Sequence, residues 1–201
     1  MKTLSKISSS YARNNFGPIF RNTVVSLKPG QCVELGVLNG YSTVWMGLGL
    51  KHNAQFRYHE GHLDAYDIWE DYPYNHGSKG EVGKVLAEQG VDQYISLHHK
   101  DANEVHLLYE KDSIDLLHID LSNTGDTFNS MVEKWHPLLR MMGVLMFEGG
   151  SVERDSIPWM VEAKASSIKK AIESNVIINS FYQYGTYDKF PSMSVFIKKG
   201  D

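Results

Sequence analysis

The 201 residues predict an α/β fold, a mostly parallel seven-stranded sheet flanked by helices and closed by an antiparallel C-terminal hairpin. Three observations predict it. Short apolar runs of strand length alternate with stretches of helical spacing, the pattern of a parallel sheet with helices on both faces. Four of these runs end in an acid: Glu34, Asp67, Asp101 and Asp120. The last two runs are joined by "GTYDKFPS", which leaves no room for a crossover helix, so they pair antiparallel.

Residues 10–27 have helical spacing with an interruption expected near Gly17-Pro18, because proline disfavours a helix interior. "QCVELG" is the first buried strand, and "YSTVWMGLGLK" follows as a helix with Val44, Trp45, Leu48 and Leu50 at helical spacing. "HLDAYDIW" is the second strand, ending near Asp67. "GKVLAEQG" is helical and stops at Gly90, a C-terminal glycine. "YISLHHK" is the third strand and "ANEVHLLYEK" the next helix. "SIDLLHIDL" is a continuous apolar run of the kind buried on both faces. "TFNSMVEKWHPLLR" supplies a helix, "GVLMFEGG" the fifth strand and "IPWMVEAKASSIKKAIESN" a long helix. "VIINSFYQY" and "MSVFIKK" make the closing hairpin.

Composition narrows the class. With 42% hydrophobic and 22% charged residues the chain is ordinary globular material, long enough for a sizeable core. Residues 1–29 read as an N-terminal helical segment and 30–201 as the main domain. A net charge of −4 gives no electrostatic case for nucleic acid or an anionic membrane as partner. No window approaches the length of a membrane span, and the N-terminus lacks the apolar run of a signal peptide. The one cysteine, Cys32, cannot form an intrachain disulfide or a Cys-rich zinc site, which fits the reducing cytoplasm. A homo-oligomer is compatible with all of this.

Strand-end acids gather at the side of such sheets where ligands bind. Ionised carboxylates only accept hydrogen bonds, so they suit hydroxyl and amine donors better than a bare phosphate. Glu34, Gly36 and Gly40 form acid-x-Gly-x-x-x-Gly, with Ser42 opening the following helix. A dinucleotide fingerprint, Gly-x-Gly-x-x-Gly, would need its middle glycine where Leu38 stands, and no Walker Gly-Lys-Ser or Gly-Lys-Thr is present. Asp67 is placed to take ribose hydroxyls and Asp101 to reach an adenine amine, although Asp101 equally suits a helix cap.

These residues resemble the class I S-adenosylmethionine-dependent methyltransferases. More narrowly, "VELGVLNGYS", "AYDIW", "DLLHID" and "WHPLLRMMGVLMFE" look like the small O-methyltransferase group that includes catechol and caffeoyl-CoA enzymes and bacterial sugar and macrolide enzymes. The resemblance covers Gly30 to Lys198 and implies a Rossmann-like sandwich with S-adenosylmethionine as cofactor. It implies that the loop with Gly36, Gly40 and Ser42 wraps the methionine part. Glu34 would brace that loop or meet the methionine amine. Asp67 would hold the ribose, and Asp101 would lie by the adenine.

For the acceptor, the resemblance implies a small molecule hydroxylated at the accepting oxygen, such as a sugar or natural-product intermediate. Metal-dependent members hold a divalent cation, Mg2+ for example, on an acid after strand four and a pair of ligands after strand five. Asp120 and Glu148 match two of these positions, but Gly149 stands where a further side-chain ligand is expected. Asp120 is alternatively an acceptor-facing base, with Ser122 and Asn123 as weaker polar contacts. His118, two residues before Asp120, lies on the same side of the strand and supports it or serves as a core histidine. His98 and His99 read as structural and His76 as a loop contact to the acceptor. Trp69, Tyr72, Tyr74 and Trp159 are candidates to stack on the acceptor. "SVERDS" reads as a solvated face, with Glu153 and Asp155 in reach of a metal site. A second reading is an S-adenosylmethionine-binding or regulatory protein without catalysis, motivated by Gly149 and the altered loop after Asp120.

Overall fold

A computed structural model of the chain describes residues 7–56 and 60–199. The first six residues of the expected N-terminal segment lie outside the described residues. The strands are β1 (Gln31–Leu35), β2 (His62–Asp67), β3 (Ile95–His99), β4 (Ile114–Ile119), β5 (Leu139–Glu148), β6 (Tyr182–Tyr187) and β7 (Met193–Lys198). They form a seven-stranded sheet in the order β3-β2-β1-β4-β5-β7-β6. β2 pairs parallel with β1 and β3, and β4 pairs parallel with β5. β7 runs antiparallel to both β5 and β6, which is the expected closing hairpin.

The chain divides into two compact units, Met1–Val105 and His106–Asp201. In the first, α1 (Gly17–Leu27) packs on α2 (Tyr41–Gln55), and α3 (Lys79–Gln89) and α4 (Ala102–Val105) follow. A 3-10 turn over Ser10–Asn14 precedes α1, and the break falls at Asn15, which has φ 53. The interruption expected near Gly17-Pro18 is therefore present just before it, and Pro18 itself sits in the first turn of α1, where no N–H partner is needed. Close helix contact needs small residues: a Cβ on Gly49 would lie 2.7 Å from Val24 Cβ, and Gly17 faces the indole of Trp45. Asn53 Nδ2 donates to the Val24 carbonyl at 3.0 Å and pins the pair. Phe20 and Val24 are fully buried there, and burial of such side chains contributes about 1.5–3 kcal/mol each. Cys32, the second residue of β1, is likewise buried.

In the second unit, β4 is buried along its whole length, as its continuous apolar run requires. Its charged member, Asp115, is compensated by Arg140 at 2.9 Å. α5 (Gly125–Trp135) lays Phe128 edge-on against Phe147 of β5, with ring centroids 5.0 Å apart. β5 starts earlier than expected, at Leu139. Residues 140–143 bulge out, because Ile114 pairs with Leu139 and Leu116 already with Val144.

The expected long helix over 157–175 is broken. Residues 152–181 hold α6 (Val152–Asp155), α7 (Pro158–Glu162), α8 (Ile168–Ser174) and α9 (Val176–Phe181), of which only α7 and α8 lie within 157–175. Side chains of Ser151, Ser167 and Asn175 accept backbone N–H groups of Arg154, Lys170 and Ile178, and each restarts a helix. The capping by Asn175 also makes "VIINSF" helical, where a strand was expected, and β6 begins only at Tyr182.

Candidate cofactor loop and acceptor residues

In the first unit β1 runs into a loop whose backbone only glycine tolerates well. Gly36 has φ 85 and Gly40 φ 79, and Leu38 between them is also left-handed at φ 51. Two carboxylates hold this loop. Asp67, the last residue of β2, accepts the N–H of Val37 at 2.8 Å and of Leu38 at 2.9 Å on Oδ2, and the N–H of Trp69 at 2.8 Å on Oδ1. Three of the roughly four acceptor directions of a carboxylate are thereby used. Glu34, fully buried, accepts Ser42 Oγ at 2.5 Å and Thr43 Oγ1 at 2.6 Å. It ties β1 to the first turn of α2, which no side chain caps from Gly40. Gly77 packs against the Leu38 carbonyl, so the turn before α3 touches the same loop.

The sequence profile of a methyltransferase domain family matches residues 33–148, more than half of the chain. The chain belongs to this methyltransferase family. Among solved structures, the methyltransferase is similar to an O-methyltransferase from Bacillus cereus in complex with SAH. That pair has 14% identity and a TM-score of 0.70, covering 99% of this chain and 91% of the other. TomG from Streptomyces achromogenes, an O-methyltransferase involved in tomaymycin synthesis and solved with SAM, gives 16% identity and a TM-score of 0.69, covering 100% and 91%. PaMTH1 from Podospora anserina, SAH-bound, gives 15% identity and a TM-score of 0.67, covering 98% and 81%. These likenesses share the class I fold expected from the sequence. No curated protein sequence matches the chain.

In the methyltransferase, the expected cofactor residues fall into two groups. Glu34, Gly36, Gly40, Ser42 and Asp67 converge on one loop, but Ser42 already donates to Glu34. Asp101 shows no bond to that loop among the described residues. It is exposed and accepts the backbone N–H and the side-chain amide of Asn103, at 2.8 and 3.0 Å, at the start of α4. Thr43 was not singled out from the sequence, although its place beside Ser42 marked it as a second hydroxyl within reach of Glu34.

In the second unit Asp120 follows β4 by one residue, and His118 is fully buried within that strand. Glu148 ends β5 at 6% exposure, and its Oε1 accepts Arg154 Nε at 2.6 Å. Burial pushes the Glu148 carboxyl upward from its usual range, and the Arg154 guanidinium opposes that. Asn123, fully buried, donates its amide to the carbonyls of Glu148 and Ile119, at 2.9 and 3.3 Å. Two buried atoms of the pair, Glu148 Oε2 and Arg154 Nη1, have no hydrogen-bond partner in the protein. Arg154 Nη2 reaches the Asn123 carbonyl at 3.4 Å, and the guanidinium carbon lies 5.2 Å from the Trp159 ring centroid.

The expected solvated face at 151–156 is therefore wrong at Arg154, which is 4% exposed. Glu153 and Asp155 turn elsewhere: Glu153 accepts the Phe190 N–H at 2.9 Å, and Asp155 accepts Ser167 Oγ at 2.6 Å and the Ile168 N–H at 2.9 Å. Among the described residues no group of three or more His, Cys, Asp or Glu side chains is arranged to hold a metal ion. The donor set around Glu148 does not fit Mg2+, because its carboxylate is engaged by a guanidinium and a hard cation seeks about six oxygens. Of the candidate stacking aromatics, Trp69 is fully buried core, whereas Tyr74 and Trp159 are exposed and Tyr72 partly so. His98 binds Asp64 at 2.7 Å and His99 binds Asp71 at 2.9 Å, in keeping with structural roles. His76 Nδ1 lies 3.1 Å from the Gly77 carbonyl in the turn before α3. No helix of the described residues is long and apolar enough to cross a membrane.

Proposed function

We propose that the chain transfers a methyl group from S-adenosylmethionine to an oxygen of a small hydroxylated molecule, such as a sugar or a natural-product intermediate. The observation that carries this reading is the clamped glycine loop, with Gly36 and Gly40 left-handed and its amides fixed by Asp67 at the uncapped start of α2. An open backbone at a helix start can close on a polar ligand and donate to its carboxylate. In this reading the loop and the first turn of α2 take the methionine half. Asp67 offers its remaining acceptor direction to the ribose, and Asp101 lies toward the base. The bound cofactor supplies an electrophilic methyl on a sulfonium, so the protein's main tasks are alignment and loss of the acceptor proton.

Oxygen as the accepting atom is supported by similarity to proteins described as O-methyltransferases. Asp120 is the proposed base, supported by His118. Glu148 Oε2 and Arg154 Nη1 leave one acceptor and one donor unmet. Calorimetric titration of S-adenosylmethionine and S-adenosylhomocysteine into the wild type and Asp67→Ala tests the cofactor. Binding by the wild type that weakens in the variant is expected, and a wild type that binds neither compound overturns the proposal. Labelled-methyl transfer to catechol and methyl glycosides then separates an enzyme from the second reading, a binding or regulatory protein that keeps the pocket without turnover.

A further inference from the structure

The end of β5 lacks the means to build a divalent-cation site, and the reason lies in this chain's own residues. Glu148 already gives Oε1 to a cation, Arg154 Nε. The neighbouring position cannot add a ligand. Gly149 has φ 122, and a Cβ there would sit 2.6 Å from Ile168 Cδ1. Gly150 has φ 109 and is closed off in the same way by Ser194 Oγ. The amide of Asn123 is spent on two carbonyls, and its Oδ1 accepts the Leu121 N–H at 3.2 Å. Asp155 is spent on the start of α8 and Glu153 on Phe190.

The guanidinium meanwhile is fixed at several points. Ser151 Oγ accepts the backbone N–H of Arg154 at 3.1 Å, which sets the start of its helix. Glu148, the Asn123 carbonyl and the Trp159 ring then hold the head group. A guanidinium does not lose its proton in a protein, so the positive charge is permanent.

The geometry points to Arg154 as the built-in cation of the acceptor end: it occupies the Glu148 carboxylate that a metal would need and keeps a divalent ion off it. This deepens the proposed methyl transfer and rests on it for the meaning of that end of the sheet.

The test measures free Mn2+ by electron paramagnetic resonance in the presence of wild type, Arg154→Gln, Arg154→Lys and the double variant Arg154→Gln/Glu148→Gln. S-adenosylmethionine is titrated calorimetrically into the wild type before and after EDTA. Wild type and Arg154→Lys are expected to leave Mn2+ free, and EDTA to leave cofactor affinity unchanged. Arg154→Gln, which frees the Glu148 carboxylate but adds no further ligand, is expected to bind Mn2+ weakly yet more tightly than the wild type, and the double variant to lose that gain. Stoichiometric Mn2+ on the wild type overturns the inference, as does a folded Arg154→Gln that binds Mn2+ no more tightly than the wild type. If Arg154→Gln does not melt cooperatively, Arg154→Lys decides: uptake overturns the inference and its absence upholds it. A wild type that leaves Mn2+ free but binds no S-adenosylmethionine sinks the methyl-transfer reading and leaves the cation assignment standing.

Discussion

Glu34 and Asp67 are strand-end carboxylates turned onto the loop they flank, and their removal should have different consequences. Glu34 accepts two hydroxyls in full burial. Hydrogen bonds to a charged group contribute about 1.5–3 kcal/mol and neutral ones about 0.5–1.5, so Glu34→Gln should lower stability by about 1–2 kcal/mol in urea unfolding. Asp67→Ala strands loop amides at about 1–3 kcal/mol each. S-adenosylmethionine affinity should fall at least tenfold by calorimetry, and less in Asp67→Asn, which keeps one carbonyl oxygen. The type and position of both acids were legible in the sequence, because each ends an apolar run. Bracing was one of the two roles expected of Glu34, but the inward bonding of Asp67 was not legible, since a strand-end acid can point to a ligand or to its own loop with the same spacing. Arg154 was not legible at all. Its neighbours Glu153, Asp155 and Ser156 are polar, and only the fold buries it.

Each element of the loop depends on the next. Gly40 has φ 79, and a Cβ there would lie 2.8 Å from Val82 Cγ1 on α3. Gly40→Ala should cost about 1–2 kcal/mol for the left-handed backbone alone, and more for the clash. In a Val82→Ala background the clash is removed, so a double-mutant cycle in urea should give a favourable coupling. No coupling would mean that α3 does not bear on the loop. Strands were the readable elements, since burial on both faces writes a continuous apolar run such as that of β4. The region 152–181 was not readable as four helices. Its caps, Ser151, Ser167 and Asn175, are residue types equally at home on a helix surface, and the β-branched run at 176–178 favours a strand until Asn175 caps it. The bulge at 140–143 is a matter of register with β4, which no local pattern encodes.

At the scale of the molecule, a ligand that binds only the folded chain stabilises it by mass action. S-adenosylmethionine at a hundredfold excess over its Kd adds about 2.7 kcal/mol, which for a chain of 201 residues raises the melting temperature by about 5–10 °C. No shift at saturating concentration would contradict the cofactor assignment. Cys32 gives this chain one more property. It is the sole thiol in the sequence and has no exposed surface. An alkylating reagent therefore reaches it only when β1 opens, and the labelling rate is a clock for that event. The clock comes without engineering, and ligand on the adjoining loop should slow it.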